Sequence, residues 1–201
     1  MLDNAKSRSI AAHVLDPVAK ALLAMRLSAS AVTVLGAIGS IAVAVTCIAH
    51  GRFLFAAILM LPLAGADAID GTMARIARTQ GPWGSFLDST TDRFTDGAIF
   101  AAISWWCMSQ GDTGTAIAAL VGLIAGFATS YIRAKAESLG VECKVGIAER
   151  PERVGGVMLG VFLAGIGLDV MLPVLVYVVG VLSCITVGQR MAVVRRALQH
   201  A

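Results

Sequence analysis

Asp67-Ala-Ile-Asp70-Gly71-Thr-Met-Ala74-Arg75, followed shortly by Gly84-Ser-Phe-Leu-Asp88-Ser-Thr-Thr-Asp92, is the stretch on which the reading of this chain turns. Both pieces adjoin long hydrophobic runs. On a helix turning 100° per residue, Asp67 and Asp70 share a face, with Gly71 and Ala74 on or near it and Arg75 a turn further along. Gly84, Asp88 and Asp92, spaced by four, share one face of the next helix. A charged group at the centre of a membrane helix costs about 2.5 to 3.5 kcal/mol, so four uncompensated aspartates would cost roughly 10 to 14 kcal/mol. That matches the whole stability of a typical fold. Divalent cations, which take oxygen ligands and often act in pairs on phosphoryl groups, are the simplest compensation, so the cluster reads first as a metal site.

The setting is a membrane. In 201 residues, 57% are hydrophobic and 14% charged, and the mean hydropathy is +0.80, far from an ordinary soluble domain. Charge-free runs cover residues 27–51, 53–66, 97–111, 113–132, 154–168 and 170–189. A span needs roughly 20 mostly apolar residues. Three of the runs reach that length only by extending into charged neighbours: the second through Asp67 to Arg75, the third back through Asp92 and Asp88, the fifth towards Arg153. The expectation is an all-α, polytopic membrane protein of one domain, residues 1–201. Residues 1–26 form a juxtamembrane amphipathic segment and 27–201 a bundle of six transmembrane helices. Within residues 7–26, Ile10, Val14, Val18, Leu22 and Leu23 recur at helical spacing opposite Arg8, Asp16, Lys20 and Arg26, the pattern of an interfacial helix.

Charge placement predicts the orientation. Lys6, Arg8, Lys20 and Arg26 precede the first span. Arg75, Arg78 and Arg93 flank the turn between the second and third. Arg133, Lys135, Lys144, Arg150 and Arg153 surround the connection between the fourth and fifth, and Arg190, Arg195 and Arg196 close the chain. The opposite side holds only His50, Arg52, Asp112 and Asp169. Cationic segments stay cytoplasmic, so both termini and the aspartate cluster are expected on the cytoplasmic face of the cell membrane. No basic run interleaves with aromatic residues, which excludes nucleic acid as a partner. Cys47, Cys107, Cys143 and Cys184 are scattered without a C-x-x-C pair and read as free thiols. Small residues at Gly71, Ala74 and Gly84 have two readings: close helix packing, or room for a ligand against the helix. The aspartates taken alone also admit an ion pathway or a salt-bridged network.

The pattern D-x2-D-G-x2-A-R-x8-G-x3-D-x3-D, complete here from Asp67 to Asp92, resembles the signature of the CDP-alcohol phosphotransferase family, and the resemblance extends over essentially the whole chain. It implies a phosphatidyltransferase with two divalent ions, Mg²⁺ or Mn²⁺, held by Asp67, Asp70 and Asp88 with Asp92 contributing. Asp92 is then the general base. Gly71 and Arg75, with Gly81, would contact the CDP portion of CDP-diacylglycerol. Ser28-Ala29-Ser30-Ala31 aligns with a nucleotide-contacting stretch that usually contains Thr-Pro, a pattern from which Ser28-Ala29 departs. Members of the family are typically homodimers, and that is implied here too.

The acceptor follows from a second set of residues. Ser130-Tyr-Ile-Arg133-Ala-Lys135-Ala-Glu137, Glu149-Arg150-Pro-Glu152-Arg153 and Gln189-Arg190 with Arg195 look like the bacterial phosphatidylinositol-phosphate synthases, in which basic groups of these helices bind the phosphate of inositol phosphate. The resemblance implies CDP-diacylglycerol as donor, inositol phosphate as acceptor and CMP as product. Lys135, Arg153, Arg190 and Arg195 would hold the acceptor's phosphate, guanidinium being a planar donor fork for such a group. Snorkelling to the interface is the other reading of these cations, and for Arg195 and Arg196 a seat on anionic headgroups is the simpler one. A structural ion-pair network is the alternative around Arg150. Glycerol 3-phosphate would suit the same cations, as in a phosphatidylglycerophosphate synthase.

Overall fold

A computed structural model describes residues 15–199, and all regular secondary structure among them is helical. Residues 15–24 form α1; then come α2 (Ala29–Thr46), α3 (Phe53–Ala64), α4 (Ala66–Ala77), α5 (Pro82–Ser109), α6 (Thr113–Ser138), α7 (Arg150–Gly165) and α8 (Met171–Gln199). Of the expected amphipathic stretch, residues 7–14 lie outside the described residues. The chain divides into two compact units, one taking in the chain up to Ala42 with Ile58–Thr95, the other Val43–Ala57 with Asp96 onward.

In the first unit, Ser28 starts α2 by accepting the Ala31 N–H on its hydroxyl at 3.1 Å, an N-cap that satisfies an orphan donor. Two glycines let α2 approach the next hairpin arm closely. A Cβ built on Gly36 would lie 3.0 Å from Ala66 Cβ, and one on Gly39 2.9 Å from Leu63 Cδ2. The second expected span is not one continuous helix. Pro62 within α3 supplies no N–H to the helix and crowds the carbonyl a turn earlier, and the helix is interrupted at Gly65. α4 then restarts with Asp67 and Asp70 in its first two turns. Arg78, in the left-handed region at φ 55°, returns its N–H to the carbonyls of Ala74 and Arg75 and ends α4. Pro82 opens α5, where its fixed φ suits a first helical residue and its missing N–H costs nothing.

In the second unit α8 packs along both α6 and α7. Gly122 and Gly180 meet there: a Cβ on Gly122 would stand 3.6 Å from Gly180 Cα and 3.0 Å from Phe100 Cε1. A short 3-10 turn, Ile48–His50, joins α2 to α3, and Phe53 packs edge-on to Trp106 with centroids 4.6 Å apart. Asp112 caps α6 by accepting the Thr115 N–H at 3.0 Å. Pro151 lies in the first turn of α7, as its position after the polar connection 139–149 predicts.

Among the described residues, four stretches are long and apolar enough to cross a membrane: Ala29–His50, Phe53–Ala77, Thr113–Ser138 and Met171–Gln199. The other two expected spans fall short for different reasons. α5 is 28 residues long but carries Asp88, Asp92 and Arg93 in its first half and Asp96 just beyond its midpoint, whereas α7, with 16 residues, is about 24 Å long against a hydrocarbon core of roughly 30 Å. Large apolar side chains face outward along these helices, with Leu61, Trp105 and Ile124 more than two-thirds exposed. Such a surface suits lipid rather than water. The chain is a multi-pass membrane protein.

Candidate active site

α4 and α5 carry the signature aspartates, and the first unit contains all four. Asp70 is half-buried and accepts the hydroxyl of Thr33, which comes from α2. The same hydroxyl lies 3.1 Å from the Ala29 carbonyl. Asp88 and Asp92 are half-buried on α5, one helical turn apart, and Asp92 Oδ2 stands 3.7 Å from Arg93 Nη2. Asp67 lies in the first turn of α4; its side chain is outside the described residues. Among the described residues, which do not include the Asp67 carboxylate, no three His, Cys, Asp or Glu side chains form a group that could hold a metal. The donors on offer are all carboxylate oxygens, with no imidazole or thiolate, and such a set fits a hard divalent cation.

The small residues now separate by role. A Cβ built on Gly71, Gly81 or Gly84 meets no atom within 4 Å, in contrast to Gly36 and Gly39. Close packing therefore does not explain Gly71 and Gly84 among the described residues. Arg75 is held to its own helix: Nη2 donates to Thr72 Oγ1 at 2.8 Å and Nε to the Gly71 carbonyl at 3.4 Å, with the side chain otherwise exposed. Ser28 serves as the α2 cap, while Ala29, Ser30 and Ala31 occupy its first turn and are half-buried.

The cations of the second unit fall into two groups. Lys135, near the end of α6, and Arg195, near the end of α8, are exposed. Arg153 and Arg190 are only 3% and 4% exposed, which rules out snorkelling for both. Arg190 fastens three segments: Nη1 donates to the Thr129 carbonyl and Nε to the Val145 carbonyl, each at 2.8 Å, and Nη2 lies 3.5 Å from Glu149 Oε1. Arg153 Nη1 donates to the Ala148 carbonyl at 3.1 Å. Its guanidinium lies under α6 at Gly126, where a Cβ would stand 3.2 Å from Nε. Thr186 completes the attachment of the 139–149 connection by accepting the Ala148 N–H at 3.1 Å.

Asp96 has no place in the signature, yet it is the buried acid of this unit. At 5% exposure it accepts Arg150 Nε on Oδ1 at 3.1 Å, and its Oδ2 lies 4.0 Å from Arg153 Nη2. Arg150 of α7 thus pairs with α5. Two carboxyls outside the spans are shifted. Hydrogen bonds from Thr115 hold Asp112 below the usual carboxylate range, and the Lys144 ammonium does the same for Glu142, 2.9 Å away.

The model of the CDP-alcohol phosphatidyltransferases matches residues 26–189, a segment that contains the whole aspartate signature. The chain belongs to the CDP-alcohol phosphatidyltransferase family. Among characterised members of that family, the phosphatidylinositol phosphate synthase of Cutibacterium acnes is 38% identical over 198 residues, 94% of this chain and 95% of its own length. That of Mycobacteroides abscessus is 36% identical over 191 residues, 94% of this chain and 87% of that protein. The crystal structure of Mycobacterium tuberculosis phosphatidylinositol phosphate synthase with CDP-DAG bound superposes with a TM-score of 0.87 at 33% identity, covering 90% of this chain and 94% of that one. The same enzyme in complex with manganese and citrate gives 0.85 at 34% identity, covering 89% and 87%.

Three polar contributors to this phosphatidyltransferase were not singled out from sequence. Asp96 was readable, because it continues the four-residue row Asp88–Asp92. Thr33, which reaches Asp70, and Thr129, whose carbonyl receives Arg190, carry no local signal, since each acts through a partner far along the chain.

Proposed function

We infer that this chain is a phosphatidylinositol phosphate synthase, transferring the phosphatidyl group of CDP-diacylglycerol to inositol 1-phosphate (1D-myo-inositol 3-phosphate) with release of CMP. The observation that carries the reading is the complete aspartate signature in a chain whose relatives carry that activity in their names across nearly their full length. In this reading Asp67, Asp70 and Asp88 would hold two divalent ions, Mg²⁺ or Mn²⁺, with Asp92 contributing. The bound cations supply positive charge against the pyrophosphate as charge builds on the departing CMP. Gly71, Gly81 and Arg75, with Ser28, Ala29, Ser30 and Ala31, hold the CDP portion, and the open faces of Gly71 and Gly81 support that placement.

Asp92 takes the proton of the acceptor hydroxyl as its oxygen bonds to the phosphorus that bears the diacylglycerol. The bond from that phosphorus to the CMP oxygen breaks, and CMP leaves with the electron pair. Lys135, Arg153, Arg190 and Arg195 hold the phosphate of the acceptor. Burial of Arg153 and Arg190 supports an interior role for both. Around this chemistry the reading places one membrane domain of six spans in the cell membrane, an interfacial amphipathic helix before the first span, both termini and the site on the cytoplasmic face, and a homodimer.

The test is release of CMP from CDP-diacylglycerol by the purified protein in Mg²⁺, offered inositol phosphate, free inositol, glycerol 3-phosphate or no acceptor. Turnover with inositol phosphate in clear excess over the others supports the reading. Preference for glycerol 3-phosphate, or release without CDP-lipid dependence, sinks it.

A further inference from the structure

Arg150 and Arg153 of α7 ion-pair with Asp96, and Arg190 of α8 with Glu149. Two of these guanidiniums are buried. A guanidinium on a long side chain points only where its bonds direct it. Glu149, the carboxylate paired with Arg190, is half-exposed, whereas Asp96 is buried and engages two arginines of α7, with a separate oxygen for each. Arg153 is held also by the Ala148 carbonyl and by the gap at Gly126. Neither discriminates a charged partner from a neutral one.

We propose that Asp96 is a positioning residue for the acceptor: by fixing Arg150 through Oδ1 and drawing Arg153 through Oδ2, it presents their guanidiniums to the acceptor's phosphate. This rests on the reading of Arg153 as a phosphate-binding residue. Asp96 itself repels a phosphate and so acts only through the arginines. A purely structural Asp96 would affect how much protein folds and leave substrate affinities alone.

The experiment is a double-mutant cycle on steady-state kinetics, with Asp96→Asn, Arg153→Gln and the pair, each assayed against inositol phosphate and CDP-diacylglycerol. Asp96→Asn keeps an acceptor for Arg150 and removes the charge. It should raise the KM for inositol phosphate about 10-fold, the scale of one charged hydrogen bond, with the KM for CDP-diacylglycerol nearly unchanged. In the Arg153→Gln background the same substitution should add less than about 2-fold, because the residue it acts through is gone. KM does not depend on the folded fraction, so partial misfolding leaves the result readable. If the amide variant gives no turnover, Asp96→Glu, with charge kept and geometry shifted, should show the same acceptor-specific rise. An unchanged acceptor KM in Asp96→Asn, or an equal multiplication in both backgrounds, overturns the proposal while a raised KM in Arg153→Gln leaves the acceptor reading standing. No change in Arg153→Gln overturns both.

Discussion

Thr33 on α2 donates its hydroxyl proton to Asp70 Oδ2 on α4, tying one signature aspartate to a helix outside the signature. The threonine is buried, and its side chain also reaches the Ala29 carbonyl, so its rotamer is fixed. Partners of this kind orient a metal ligand, and their loss typically costs 10-fold to 100-fold in metal affinity. Thr33→Val, nearly the same shape without the hydroxyl, should shift the Mg²⁺ dependence of CMP release to about 10-fold higher concentration. Turnover at saturating Mg²⁺ should largely recover. An unchanged Mg²⁺ titration would show that Asp70 needs no support from α2.

The aspartates themselves give a sharper outcome. Asp67→Asn, Asp70→Asn and Asp88→Asn each remove one charged ligand and almost no volume, so the protein should still insert and purify while CMP release falls to background. Substantial turnover by any of the three in saturating Mg²⁺ would remove that residue from the metal set.

Asp92 is separable from its neighbours because its assigned task is proton removal. Asp92→Asn should retain CDP-diacylglycerol binding with modest loss and yet be nearly inactive, a fall of 10²-fold to 10⁴-fold being the usual scale for a lost general base. Equilibrium binding measured beside turnover decides it: binding that collapses in proportion to the rate assigns Asp92 to metal or structure instead.

Much of this was legible in the sequence because the information is local. Each half of the signature, the break at Gly81-Pro82, the Pro151 helix start and the polar connection 139–149 depend on residues close together along the chain. The interruption at Gly65 was not anticipated, although Pro62 and Gly65 were both visible, because the hydrophobic run passes through them without a charge. For Arg153 and Arg190 the sequence alone leaves phosphate binding and an interfacial seat both open. Their burial, and their bonds to the carbonyls of Ala148, Val145 and Thr129, depend on pairings across 5, 45 and 61 residues, and the longer two leave no local periodicity to read.

Asp112 offers a stability test remote from the signature. Its carboxylate caps α6 through the Thr115 N–H, and Asp112→Ala should cost about 1 kcal/mol. Because the folded state holds this carboxyl below its ordinary value, its ionised form contributes fully above the unfolded pKa of about 3.9 and is lost as pH falls through the lower folded value. Thermal unfolding in detergent should therefore separate wild type from Asp112→Ala at neutral pH, with the gap narrowing in acid. A gap independent of pH would mean that the charge is not what caps the helix.

Lys135 carries the clearest test of the acceptor, because it is exposed and its removal disturbs no buried bond of the kind that Arg153 and Arg190 make. A charged hydrogen bond is worth roughly 1.5 to 3 kcal/mol, so Lys135→Gln should raise the KM for inositol phosphate about 10-fold to 150-fold. The KM for CDP-diacylglycerol should move far less, since the donor is assigned to the aspartates and Arg75. Arg195→Gln, also exposed, should fall between this effect and none, according to how far the α8 terminus takes part. Arg190→Gln should raise the same KM but also lower the unfolding temperature, because it releases the carbonyls of Thr129 and Val145. Free inositol should be a poor acceptor for the wild type and gain relative to inositol phosphate in Lys135→Gln, where one cation fewer is left unpaired. The assignment fails if Lys135→Gln raises both KM values together, or if free inositol and its phosphate are used equally well.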